Sequence, residues 1–305
     1  MLRTIKKLSA AVLLSTTLLF STAAAVIPAA VYAADQSEYP GFYSVAAQGP
    51  LTPGLISEKK WVPQGMAIWS SKKWIISSYY SSINADASSL MISEKDSADT
   101  RVRTYYLYHE DGTKHTGHVG GLAISGSYLW VASGTDVYRI PLTTISGSSD
   151  YAKLQMQKYD LSHKASYATF YDGVLWVGEY VEGATQCSKG SQGTVYGYKL
   201  NSTEGISTTP TYTWKTPDRI QGMAMTSDQV IYSQSCGRNN SSMLLIHNKG
   251  ANGTKIKDLT IPPMAEGIAF YGSNLYISFE SGSQAYPDGK HRLKHYFYLN
   301  PANIN

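Results

Sequence analysis

Short runs of alternating apolar and polar residues recur along the chain at a long period. Gln64-Gly-Met-Ala-Ile68, Gly120-Gly-Leu-Ala-Ile124, Gln221-Gly-Met-Ala-Met225 and Glu266-Gly-Ile-Ala-Phe270 share one pattern, and Tyr167-Ala-Thr-Phe-Tyr171 is a weaker copy. Their second residues fall at 65, 121, 168, 222 and 267, at intervals of 56, 47, 54 and 45. A turn and a second alternating run follow each copy: Lys73–Tyr79, Leu129–Ser133, Leu175–Tyr180, Val230–Ser235 and Leu275–Glu280. The connectors Ser125-Gly, Asp172-Gly, Ser227-Asp and Gly272-Ser carry turn chemistry. Third runs follow (Asp136–Ile140, Thr194–Lys199, Met243–His247, His295–Leu299), then more polar fourth runs such as Tyr212–Lys215 and Ile256–Ile261. Four short strands per unit at this spacing predict an all-β, five-bladed β-propeller with four antiparallel strands per blade. A β-sandwich also uses short strands, but it does not repeat one internal order at a period near fifty. The last copy stops on its third run, so an N-terminal strand within Leu55–Val62 is expected to complete the final blade and close the ring.

Before the repeats, Met1–Lys7 is basic, a long apolar run starts at Leu8, and Val31-Tyr32-Ala33 places small residues at −3 and −1 of a cleavage site. Residues 1–33 are therefore read as a signal peptide, 34–54 as an N-terminal extension and 55–305 as one domain. An earlier cut near Ala23–Ala25 and a retained anchor are the alternatives. The expected location is extracellular, with no stable membrane insertion, because no second apolar run reaches spanning length. Of the 26 basic residues, Arg3, Lys6 and Lys7 lie in the leader, leaving 23 bases against 22 acids. That balance leaves no footprint for nucleic acid. The two cysteines, Cys187 and Cys236, are expected to form a disulfide in an oxidising compartment. No CxxC spacing or adjacent histidine cluster points to zinc.

Val62-Pro-Gln-Gly-Met66, His118-Val-Gly-Gly-Leu122, Leu175-Trp-Val-Gly-Glu179, Ile220-Gln-Gly-Met223 and Ser233-Gln-Ser-Cys-Gly-Arg-Asn239 together resemble a group of secreted bacterial β-propeller proteins. The resemblance spans nearly the whole chain after the leader. It implies a secreted propeller and carries no activity with it.

Propeller topology brings inner-strand starts and second-strand ends to one mouth of the central channel. The candidate ligand-binding residues there are Gln64, Tyr79, Tyr80, His118, Tyr180, Gln221, Arg238 and Asn239, with Tyr167 at the corresponding start of the weaker copy. Glu179, Glu266 and Glu280 are the candidate catalytic acids, since paired carboxyls can cleave a glycosidic bond as acid and nucleophile or base. Arg238 is expected to fork onto an anion or to pair with Glu179 or Glu280. Gln64, Gln221 and Glu266 offer oxygen to a cation, but three such ligands fall short of the six to eight that Ca2+ takes. No metal or other cofactor is expected to be required, with Ca2+ the minor alternative. The chain is read as a monomer whose partner is an extracellular polar ligand or polymer, carbohydrate-like or peptide. The alternative is an extracellular hydrolase or lyase acting on a carbohydrate polymer.

Overall fold

Half of the described residues lie in strands, as the period-two alternation requires. The computed structural model describes residues 36–305 apart from residues 58, 84–85, 98–100 and 183–190. The leader and Cys187 thus lie outside the described residues. A short helix, α1 (Pro40–Val45), leads into β1 (Ala46–Leu51). The first run of four strands is β2 (Trp61–Trp69), β3 (Trp74–Ser81), β4 (Ser89–Glu94) and β5 (Arg101–His109). Next come β6 (Gly121–Ile124), β7 (Tyr128–Ser133), β8 (Asp136–Pro141), helix α2 (Leu142–Gly147) and β9 (Lys153–Asp160). They are followed by β10 (Tyr167–Tyr171), β11 (Val174–Gly178), β12 (Gly193–Lys199) and β13 (Tyr212–Thr216). Then come β14 (Ile220–Met225), β15 (Gln229–Gln234), β16 (Ser242–Asn248) and β17 (Lys255–Ile261). The last three are β18 (Ala265–Tyr271), β19 (Asn274–Phe279) and β20 (His295–Leu299).

Three sheets have four strands each: β10-β11-β12-β13, β14-β15-β16-β17 and β18-β19-β20-β1. The other eight strands form one sheet, β2-β3-β4-β5-β9-β8-β7-β6. Its centre is a parallel pairing, Tyr106↔Lys153 to His109↔Met156, that joins two antiparallel quartets edge to edge. Independent quartets were the expectation; here the outer edges fuse because Leu107, Leu154 and Met156 point into one shared core with Ile145 of α2. Covering these edges also removes unpaired backbone groups from the surface.

The closing strand differs from the expected one. β1 pairs with β20 from Ala46↔Leu299 to Leu51↔His295, so Ala46–Leu51 completes the last sheet. Leu55 instead buries itself beside Gly282, and Trp61–Val62 already belong to β2. The segment before residue 54 is accordingly part of the fold. Phe42 of α1 is fully buried against Phe279 and Phe297.

The five first strands, β2, β6, β10, β14 and β18, pack side by side in a closed cycle. The second residue of the repeat explains how. A Cβ on Gly65 would lie 2.9 Å from Gly120 O, on Gly121 2.4 Å from Ala168 N, on Gly222 2.7 Å from Glu266 O, and on Gly267 2.4 Å from Met66 N. Glycine is there for close backbone approach, and only Ala168 departs from it. Serines of the second strands tie the cycle together. Ser78 Oγ donates to Val119 O at 2.5 Å, and Ser278 Oγ lies 3.4 Å from Gln64 O of the neighbouring first strand.

Candidate functional site

The glycine cycle pinches the axis until a water molecule no longer fits. Two separate cavities remain at the two ends. One, of about 230 Å³, is lined mainly by apolar side chains such as Met66, Ile124, Phe170 and Phe270. The other, of about 590 Å³, is lined by Gln64, Tyr80, His118, Tyr180, Gln221, Glu280 and Tyr286, with Lys164 and Ser166 among the remaining wall residues. This larger of the two cavities, with polar groups set among aromatic faces, is the candidate site, and its size suits a small ligand.

Strand pleating decides which neighbours reach it. Tyr80 lines the cavity, whereas Tyr79, one residue earlier on β3, is fully buried with Trp61 and Met91 and takes no part in it. The expectation that both tyrosines face the mouth is corrected by that alternation. Tyr167 is likewise a core residue, with its ring over Gly178 and its hydroxyl 3.4 Å from Thr216 Oγ1.

Gln64 is the hub. It is 5% exposed, its Nε2 donates to Glu280 Oε1, and its Oε1 lies 3.0 Å from His118 Nδ1. That geometry assigns the Nδ1 proton to His118 and leaves Nε2 as an acceptor. The His118 ring packs on Tyr80 with centroids 4.1 Å apart, and Tyr80 and Tyr286 share a 2.8 Å hydroxyl contact. Burial lowers the His118 pKa, favouring the neutral ring.

Two carboxyls lie at the inner end. Glu266 is 2% exposed and bonds to Gln221; burial, and then the charge of Glu280, push its carboxyl well above the usual range. Burial also raises Glu280, against the opposing pull of the Gln64 hydrogen bond and the Arg238 charge. Two buried acids that repel each other's charge resist ionising together. Burial, followed by the charge of Glu280, pushes Tyr80 up to about 12.

The third expected acid stands apart. Glu179 accepts a 3.4 Å hydrogen bond from Tyr196 and does not line the cavity. Arg238 contacts neither Glu179 nor Glu280 directly: its Nη1 lies 3.0 Å from each oxygen of Asp288, and its guanidinium lies 4.7 Å from the centroid of the Tyr286 ring. Asn239 is exposed in the adjoining turn. Cys236 is buried, while the bridge expected to Cys187 falls outside the described residues. Among the described residues, no three His, Cys, Asp or Glu side chains cluster as a metal-binding set.

Tyr286 is the residue that the repeat reading missed. It belongs to the link between β19 and β20, Glu280–Lys294, which corresponds to the link 179–192 between β11 and β12 and lies outside the repeated strands. The length of that link was the available signal, since long loops often carry binding residues.

No protein-family model matches the chain, and no curated protein sequence matches it. Solved structures do. A glutaminyl cyclase from Myxococcus xanthus superposes with a TM-score of 0.53 at 12% identity, covering 84% of this chain and 95% of that one. The tail fibre of Staphylococcus aureus phage P68 gives 0.51 at 14% identity, covering 86% of this chain and 54% of that one. A GH43_1 enzyme from Xanthomonas citri gives 0.49 at 10% identity, with 85% and 91% covered. At these identities the likeness concerns the fold alone. The protein has an all-β, propeller-like fold.

Proposed function

We propose that the chain is a secreted five-bladed propeller that binds a polar ligand in the cavity around Gln64 and Glu280. The five quartets are its blades, with β1 completing the last, and the two fused quartets are neighbouring blades joined at their rims. The observation that carries the binding reading is the fixed network on the cavity wall. Gln64 locks Glu280 and His118 in place, and Tyr80 and Tyr286 hold each other by their hydroxyls. Such preorganised polar groups beside aromatic faces suit a carbohydrate-like or peptide ligand. Hydrolysis of a carbohydrate polymer is the weaker reading, because a glycosidase needs two carboxyls facing the sugar. Glu266, at 2% exposure, is beneath the wall, which leaves Glu280 alone on it.

Calorimetric titration of the secreted protein with oligosaccharides and short peptides tests this reading. Binding to the wild type that weakens at least about tenfold in both Glu280→Gln and Tyr80→Ala is expected. A ligand that binds both variants unchanged would move the site elsewhere.

A further inference from the structure

We infer that the innermost group of the ligand is a primary ammonium, the free amino terminus of a peptide. The inference rests on the cavity being the binding site and adds its chemistry. Among the hydroxyl, amide and ammonium donors of the wall, Glu280 and His118 offer acceptors side by side. One Glu280 oxygen accepts from Gln64, and the Gln64 amide is spent on Glu280, His118 and the Pro63 carbonyl. His118, with its proton on Nδ1, turns an acceptor nitrogen outward. The faces of Tyr80 and Tyr286 suit a cation, as the Arg238 guanidinium near the Tyr286 ring already illustrates. Arg238, hydrogen-bonded to Asp288, acts on Glu280 only through its charge, and Lys164 is exposed. A cavity of about 590 Å³ has room for a short peptide end.

The charged ligand has a consequence beyond affinity. The groups around Glu280 are Glu266, Gln64, Tyr80, Tyr286 and Arg238, and burial holds a proton on the two acids that an ammonium would displace. The ammonium keeps its own three protons, and the displaced carboxyl proton passes to buffer.

Glycylglycinamide and its N-acetylated form are the probes, titrated calorimetrically at pH 7 in two buffers of different ionisation heat. Expected are at least about tenfold weaker binding of the acetylated peptide, and net release of up to about one proton per free peptide bound. Glu280→Gln should abolish both the preference and the release. Equal binding of the two peptides, binding of neither, or no proton release would overturn the inference. Equal binding that is still lost in Tyr80→Ala would leave the cavity as the site and remove only the amine. Binding that is unchanged in Glu280→Gln and Tyr80→Ala would remove the site reading itself.

Discussion

Gly267 shows how much a single atom matters at the axis. An added Cβ would stand 2.4 Å from Met66 N, and backbone there has no side chain to swing aside. Gly267→Ala is expected to lower stability by about 1–3 kcal/mol in urea unfolding. Ala168→Gly, at the same repeat position, should cost less, because its Cβ is already accommodated in the native packing. The acids make a second prediction. For Glu266 and Glu280 the folded pKa exceeds the unfolded one, so the folded state holds more protons between the two values. Their contribution is full below the ordinary carboxyl range and declines as pH rises towards about 8, the value to which Glu280 is pushed. His115, pushed down to about 4 by burial and the charge of His109, acts in the opposite sense, and only below its unfolded value. Unfolding free energy should therefore fall from pH 6.5 to 8, and Glu280→Gln should flatten that fall. A wild-type curve that stays level there would contradict the assignment.

At the scale of elements, legibility followed side-chain pattern. The first and second strands of the repeats are legible as short apolar runs because both faces of each are buried, and the structure has them where the repeat put them. β1, Ala-Ala-Gln-Gly-Pro-Leu, has no such pattern: its place is set by backbone pairing to β20, with Gly49 close over Tyr296. Pro50 fits an edge strand, where its missing N–H leaves no gap in the ladder. The anchor of this element is Phe42, fully buried among Phe279 and Phe297. Phe42→Ala should cost about 3–5 kcal/mol in chemical unfolding. It should also free β1, exposing the edge of β20 and promoting association visible by light scattering.

Over the whole molecule, the cycle of first strands puts Gln64, His118, Gln221 and Glu266 at one end, and the repeat alone foretold that convergence. It did not foretell which side of a strand a tyrosine would take, nor the arrival of Tyr286 from outside the repeat. Those depend on pleat and loop length. The proposed export makes its own prediction: non-reducing peptide mapping of the secreted protein should join Cys187 to Cys236. Two alkylatable thiols would argue against that bridge. The most direct test of the account is a crystallographic soak with small amines and polyols. The account predicts density held by Gln64, Glu280 and the facing rings of Tyr80 and Tyr286. Fragments collecting in the apolar cavity beside Phe170 and Phe270, with only water against Glu280, would contradict it.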